Sequence, residues 1–115
     1  MADYVGFAIS DSMFEGDVSI SRRKLSPAEA KRLMPSALPC VNPSHTSTID
    51  ALKRRYGIDI AVPQTAPVIK LEPGDRLVVI GVRGLPRLEG RHEYTQQEIE
   101  AADFGFSLWE VHPPA

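Results

Sequence analysis

The chain has 115 residues and a formal net charge of −2 at pH 7. This length suits one domain, residues 1–115, that buries its core without disulfides or a structural metal. The near balance of charge excludes a general affinity for duplex nucleic acid or for a membrane surface, although a local basic pocket can still bind phosphate. No apolar run approaches the roughly 20 residues of a membrane span. The single cysteine, Cys40, excludes an internal disulfide and fits a cytoplasmic location.

The first third of the chain predicts two strands and a helix. Residues 4–9 alternate apolar and other side chains, which predicts a strand. The polar trio Ser10-Asp11-Ser12 follows, and it fits either a turn or the lining of a site. Residues 18–20 favour a short second strand. A serine cap, a proline and a capping-box glutamate then predict a helix over 26–34.

A second helix is predicted after a proline-containing stretch. Ser44 suits its N-cap, because a serine hydroxyl accepts a hydrogen bond from an amide of the first turn. Gly57 supplies the left-handed residue that ends a helix. Between them, three apolar residues recur at helical spacing and predict one buried stripe: Ile49, Leu52 and Tyr56.

The start of this helix combines two chemical properties. Free amides at a helix N-terminus favour an anion such as phosphate, and three hydroxyls lie beside them, those of Thr46, Ser47 and Thr48. The imidazole of His45 can donate or accept a proton near neutral pH. The alternative interpretation is an ordinary helix cap with a solvated histidine.

The remaining chain predicts the rest of a sheet. Alternating or β-branched runs indicate four further strands, at 58–62, 67–71, 77–82 and 104–111. The run 77–82 is apolar throughout, as in a central strand that is covered on both faces. A turn is predicted at 73–75, and the capping box of Thr95 and Glu98 predicts a short helix that ends near Ala102. The fold class is therefore α/β or α+β, with a central mixed or mostly antiparallel sheet of about five strands and short flanking helices.

A charged connection leaves the predicted central strand. It contains Arg83, Arg87, Glu89, Arg91 and His92. Such a run is either a solvated loop or a set of site residues held by a rigid strand. Arginine binds phosphate bidentately, and glutamate can take a proton from a hydroxyl.

A histidine, arginines and a glutamate around a phosphate site indicate metal-independent transfer at a phosphodiester. In that reaction a ribose 2′-hydroxyl attacks its own phosphate while the histidine protonates the leaving 5′-oxygen. The histidines stand at no spacing typical of a zinc site. No phosphate-binding glycine loop or dinucleotide fingerprint is present, and no cofactor is expected.

The order of several motifs between Ser36 and Val111 also resembles a known family. The motifs are His45-Thr46-Ser47-Thr48, a helix ending at Gly57, Gly74-Asp75, an apolar strand, Arg87-Leu88-Glu89-Gly90, and a last strand ending Trp109-Glu110-Val111. In this order and spacing the chain is similar to the small viral ring nucleases, whose founding members are type III anti-CRISPR proteins.

The resemblance implies a homodimer that binds cyclic tetra-adenylate across its two-fold axis and cuts it to linear products. This activity switches off CRISPR-type antiviral signalling in the cytoplasm of the host. Carried over by residue, His45 is the general acid, Ser47 and Thr48 hold phosphate, and Arg87 and Glu89 form the charged pair. We therefore expect His45, Arg87 and Glu89 to be catalytic. The expected ligand-binding residues are Ser10, Asp11, Ser44, Thr46, Ser47, Thr48, Arg83 and Arg91.

The chain departs from the family pattern at three places. Ser44 replaces a glycine, Thr65-Ala66 replaces an Asn-Arg pair, and one residue instead of two separates Arg87 from Glu89. Three alternatives follow. Arg83 takes the place of Arg87, the protein sequesters the cyclic nucleotide without cutting it, or the domain binds another protein.

Overall fold

The computed structural model describes residues 2–65 and 67–115. Within these ranges the regular elements are β1 (Asp3–Gly6), β2 (Ser19–Leu25), α1 (Pro27–Leu33), β3 (Ala37–Pro39), α2 (Thr46–Tyr56), β4 (Arg76–Arg83), α3 (Gln96–Ala101) and β5 (Asp103–His112). Short 3₁₀ turns lie at Asp11–Met13, Met34–Ser36 and Pro43–His45. No helix in the described ranges is long and apolar enough to span a membrane.

The five strands form one mixed sheet in the order β2-β5-β4-β1-β3. β5 pairs antiparallel with both β2 and β4, whereas β1 pairs parallel with both β3 and β4. The predicted α+β class and the sheet of about five strands are thus confirmed. Because β1, β3 and β4 are parallel, their carboxyl ends reach the same edge of the sheet, which we call the carboxyl edge.

One face of the sheet, the helix face, packs against the helices. Val5, Val78 and Ile80 from the sheet join Ile49 and Leu52 of α2 in one buried cluster. Burial of each such side chain contributes about 1.5–3 kcal/mol of transfer free energy. The predicted stripe therefore fixes which side of α2 rests on the sheet, and with it the position of the first turn of the helix.

The opposite face, the second face, is covered only in part. Leu77, Val111 and Leu71 form its buried cluster, and Ile9 and Phe14 pack onto it from the irregular segment after β1. The backbone N–H of Leu71 donates to the carbonyl of Met13 at 2.6 Å, which joins the two irregular segments that make this cover. Because Leu77, Val78 and Ile80 of β4 contribute to the two clusters, the predicted cover on both faces is confirmed for the first half of the strand, while Gly81 is exposed.

The elements that short sequence motifs predict are confirmed. α1 and α3 each begin with both hydrogen bonds of a capping box, at Ser26 and Thr95. α2 ends at Gly57, which adopts the left-handed conformation with φ +70°. The turn at 73–75 and the last strand also form where they were predicted.

Two strand predictions are wrong. Residues 58–62 and 67–71 are irregular. Ile58 and Ile60 are nevertheless buried while Asp59 is exposed. The alternation of apolar and polar residues therefore reflects packing against the core, and this segment forms no strand because it pairs with no neighbouring strand.

The ends of the sheet also differ from prediction. β1 ends at Gly6 and does not continue to Ile9, because the chain turns there to cover the second face. β2 extends from Ser19 to Leu25 and pairs with β5 over its whole length. Its polar and basic sequence gives little strand signal, and the pairing with a distant strand decides its conformation.

Candidate active site

The turn before α2 is capped by Asn42, and the prediction that Ser44 is the N-cap is wrong. The side-chain Oδ1 of Asn42 accepts from the backbone N–H of Ser44 at 2.8 Å. The hydroxyl of Ser44 donates to the same oxygen and accepts nothing from the first turn. Pro43 occupies the first position of the turn, where a proline is favoured because that amide would have no partner.

The first amides of this helical segment are already bonded, so the expectation of several free amides needs correction. The N–H of Ser44 is held by Asn42, the N–H of His45 donates to the carbonyl of Asn42 at 3.0 Å, and the N–H of Thr46 donates to Pro43. The hydroxyl of Thr46 also donates to the carbonyl of Pro43, at 2.7 Å. The extra 3₁₀ turn has therefore used the donors that an anion would otherwise meet first.

His45 is held in a defined orientation. Its Nδ1 accepts from the backbone N–H of Asn42 at 3.3 Å, so the imidazole takes the part that a glutamate plays in a capping box. Its ring stacks on Phe7, with centroids 4.8 Å apart and an interplanar angle of 24°. Because Nδ1 is an acceptor, the proton of the neutral ring resides on Nε2. The half-buried ring thus has one nitrogen fixed by the fold and one that can donate.

Arg83, Arg87 and Glu89 lie at or after the end of β4 and are exposed. Arg83 is its last residue and lies opposite Asp103 of β5. Side chains alternate along a strand, so Arg83 lies on the second face, while α2 covers the helix face. Within residues 2–65 and 67–115, no ion pair or hydrogen bond joins any of these three side chains to His45.

Arg91 is engaged by Glu98. Its guanidinium donates to both carboxylate oxygens, at 2.7 and 3.0 Å. Glu98 also accepts from the backbone N–H of Thr95, in the capping box of α3. These bonds lower the pKa of Glu98 to about 2, and the same pair raises the pKa of Arg91. Arg91 therefore holds the end of its loop on α3, and it reaches a ligand only if this pair opens.

α2 connects the histidine turn to the end of the same loop. Arg54 donates to the carbonyl of Tyr94 at 2.8 Å and to Gln96 Oε1 at 3.2 Å. Arg55 donates to the carbonyl of Ile99 at 3.1 Å. His45 precedes Arg54 by nine positions, or about 14 Å along a helix. One rigid helix thus sets the distance between His45 and the point at which Arg54 holds the end of the loop.

Ser10 and Asp11 belong to a cleft whose lining does not include His45. They line a cleft of about 610 Å³ on the second face, together with Phe14 and Trp109. The hydroxyl of Ser10 is hydrogen-bonded to that of Ser12 at 3.0 Å. The trio after β1 therefore forms a short turn and lines part of a cleft, and no hydrogen bond within the described residues joins it to His45.

Cys40 and the acidic groups give no sign of other chemistry. Burial raises the pKa of the Cys40 thiol to about 11, so it is not a thiolate at neutral pH. In the described part of the chain, no three His, Cys, Asp or Glu side chains group as metal ligands would.

Two residues that organise the site were not singled out from the sequence. The alternation of residues 4–9 predicts Phe7 only as one apolar residue of a strand, yet it supplies the surface on which His45 stacks. For Asn42, the proline directly after it is the signal that favours it over Ser44 as the cap.

Comparisons with known proteins show the fold. No family model matches the chain, and no curated protein does. Among solved structures, the chain is similar to B116 of Sulfolobus turreted icosahedral virus, with a TM-score of 0.67 and 19% sequence identity. The match covers 96% of this chain and 99% of the viral protein. The chain thus shares its whole fold with a small protein of an archaeal virus.

Proposed function

We propose that this protein is a metal-independent ring nuclease that opens a cyclic oligoadenylate, cyclic tetra-adenylate in the first instance. Cleavage to linear products would antagonise CRISPR-type antiviral signalling in the cytoplasm of an infected cell. The observation that carries the proposal is His45, whose Nδ1 is fixed by the backbone of Asn42 while Nε2 is left to donate. The fold shared with a viral protein and the order of motifs from Ser36 to Val111 support it.

The proposed reaction uses the ribose hydroxyl of the ring itself and side chains of the protein. The ribose 2′-hydroxyl attacks the adjacent phosphorus, the bond from phosphorus to the 5′-oxygen breaks, and a 2′,3′-cyclic phosphate forms. In its protonated form, which requires the contact between Nδ1 and the Asn42 N–H to open, His45 gives the Nε2 proton to the leaving 5′-oxygen and returns to the neutral ring, and Glu89 takes the proton of the attacking hydroxyl. Arg87 binds the phosphate and stabilises the charge that develops on it. A loop closing over a bound ring would bring Arg87 and Glu89 to the histidine.

We further propose that the active unit is a homodimer in which both copies contact the ring. Of the three arginines between positions 83 and 91, one chain offers only Arg83 and Arg87 to a ligand that carries several phosphates, since Arg91 is paired with Glu98. A two-fold axis doubles Arg83 and Arg87, and two-fold dimers are the commonest assembly.

A second candidate, a protein that sequesters the ring without cutting it, has its own support. Within the described residues, no hydrogen bond or ion pair joins His45 to Glu89, so the acid and the base of a cleavage reaction are not held together. A domain that binds another protein through this fold is a third candidate.

Product analysis separates these functions. The protein is incubated with cyclic di-, tri-, tetra- and hexa-adenylate in the presence of a chelator, and the denatured mixture is analysed by mass spectrometry. A ring nuclease returns linear species ending in a cyclic phosphate. Sequestration returns intact ring with tight binding in a titration, and a protein-binding domain gives neither.

A further inference from the structure

The two outer edges of the sheet differ in length and in chemistry. β3 forms one edge with three residues, and its last residue, Pro39, has no N–H to offer to a further strand. β2 forms the other edge, and all seven of its residues pair with β5. Short strands and prolines are common protections of an edge, and β2 has neither. β2 is therefore the edge to which another strand can be added.

The outer side of β2 has backbone groups that its own sheet does not use. In an antiparallel pair, every second residue of a strand bonds to the neighbour, and the residues between direct their N–H and C=O groups the other way. Within residues 2–65 and 67–115, β2 makes no backbone pairing other than that with β5. Residues 20–24 of the strand are exposed. A strand laid along β2 would bond to these outward groups, as in recognition by strand addition.

The side chains of β2 indicate which charge such a strand carries. Arg22, Arg23 and Lys24 follow one another and are exposed. Arg23 is paired with Glu29 of α1 at 3.3 Å, on the helix face. Arg22 and Lys24 lie on the second face, where they line a shallow groove of about 340 Å³. In the described part of the chain no carboxylate forms an ion pair with either of these two, so an acidic segment would supply their counter-charges.

The same cations disfavour the pairing of β2 with β2 of a second copy. A two-fold axis through the middle of the strand would set Arg22, Arg23 and Lys24 of one copy against the same three residues of the other. Like charges that face each other across two strands are destabilising. The cations thus protect the edge against self-association, whereas carboxylates on an added strand make the same contact attractive.

We propose that β2 binds an extended acidic segment of another protein, which joins the sheet as an additional strand. Side chains of that strand alternate between the two faces. On the second face they stand beside Lys24, Arg22 and Ile20 in turn. Two acidic residues pair with the cations, and an apolar residue meets Ile20, which is 41% exposed. Ile20 lines a cleft with Phe14 and Trp109, so this apolar residue has a surface on which to pack.

A single-stranded nucleic acid fits this edge less well than a peptide does. Asp11 and Asp17, both exposed, line the same cleft as Ile20. They repel a continuous chain of phosphates, whereas a peptide can place its acidic residues beside the cations alone. A sugar-phosphate backbone also lacks the alternating N–H and C=O groups that would bond to the outer side of β2.

Two short peptides test the proposal. Thr-Glu-Thr-Glu-Thr-Val-Thr, blocked at both ends, matches β2 residue for residue in the antiparallel direction, and its reversed sequence does so in the parallel direction. Trp109 is the single tryptophan of the chain, and Arg22 lies over its ring at 5.7 Å from the centroid, so its fluorescence should report binding. At least one peptide should change this fluorescence saturably. The same peptide should protect the outward amides of residues 19–25 from hydrogen exchange, as measured by NMR.

Charge variants test which side chains of β2 bind the peptide. Arg22→Glu with Lys24→Glu should raise the Kd of the peptide by more than about tenfold, because both cross-strand ion pairs become repulsive. The control, Arg32→Glu with Lys53→Glu, makes the same change of net charge on α1 and α2 and should bind like the parent. Circular dichroism verifies that each variant is folded. Arg22→Gln with Lys24→Gln replaces the charge reversal if that variant does not fold, and it should still raise the Kd severalfold.

N-methylated peptides separate strand addition from simple attraction of charge. Methylation of every second residue blocks the hydrogen bonds on one side of the peptide, so one phase of methylation should abolish binding and the other should preserve it. The proposal is overturned if neither peptide binds the folded parent, if the charge variants leave the Kd unchanged, or if both methylated peptides bind alike. Protection of the same amides by linear hexa-adenylate and not by either peptide would assign the edge to nucleic acid and also overturn it. No cyclic nucleotide enters these measurements, so their outcome is independent of ring cleavage.

Discussion

Replacement of Asn42 by alanine tests how the histidine turn is built. The change removes the Oδ1 that accepts from the N–H of Ser44 at 2.8 Å. It also leaves the hydroxyl of Ser44 without its acceptor. Loss of an N-cap side chain costs about 1 kcal/mol, within a range of roughly 0.5–2. For a domain of this size the melting temperature should fall by about 4 °C. The N–H of residue 42 still reaches His45 Nδ1, so the ring should keep its place while the turn frays.

The assay is urea denaturation followed by circular dichroism, with two companion variants. Asn42→Asp keeps an acceptor at the cap and should retain the parent's stability. Ser44→Ala removes only a hydroxyl that donates to Asn42, and it should cost less than half as much as Asn42→Ala. If Ser44→Ala proves the more damaging of the two, the cap belongs to Ser44 and the bonding of the first amides described above is wrong.

Three further predictions follow from the site and the core. Arg87→Ala should weaken both ring binding and turnover, whereas Glu89→Gln should lower turnover more than affinity. Titrations measure the affinity and single-turnover experiments measure the rate. If Arg87→Ala keeps the parental affinity and rate while Arg83→Ala loses them, the role belongs to Arg83. The pKa of Glu98 is lowered to about 2 in the folded state, so its pairing stabilises the fold above roughly pH 4.5 and this contribution is lost as the pH falls towards 2. Thermal melts should therefore show a weaker dependence on pH over that window for Glu98→Gln, and an unchanged dependence would count against the Arg91 pair. Leu52 has 0% exposure in the core, so Leu52→Ala should lower the free energy of unfolding by about 2–5 kcal/mol, and a loss below 1 kcal/mol in urea denaturation would contradict its place there.

Local signals explain what could be predicted from the sequence. The capping boxes at Ser26 and Thr95 place donor and acceptor three residues apart, so the sequence contains both partners of each bond. The glycine stop after α2 is equally local. The apolar run of β4 predicts the central strand because such a run is typical of a strand with cover on both faces, which β4 has in its first half.

Non-local pairing explains most of what could not be predicted. β2 is polar and basic, and it is a strand because it forms hydrogen-bonded pairs with β5 over its whole length. Residues 58–62 have the alternation of a strand but no partner to pair with. Arg91 was expected at the ligand, and its pairing depends on how the loop folds back onto α3.

At the site, the sequence placed His45 correctly at the start of α2 but not the bonds around it. Two adjacent candidates for the cap, Asn42 and Ser44, are equally good by residue type, and Pro43 decides between them. The stacking of Phe7 on His45 joins residues from separate parts of the chain, so no local sequence pattern predicts it. Ala66, part of the Thr65-Ala66 departure from the family pattern, lies outside the described residues.

The proposed role of His45 as the general acid is tested most directly by the cleavage rate of His45→Ala. Cyclic tetra-adenylate is mixed with excess protein, parent or variant, and the loss of intact ring is followed by mass spectrometry while a parallel titration measures affinity. Removal of a positioned acid should lower the single-turnover rate by about 10²- to 10⁴-fold and leave affinity nearly unchanged. Cleavage by His45→Ala at the parental rate would contradict the mechanism, and tight binding without cleavage by the parent itself would replace it with sequestration.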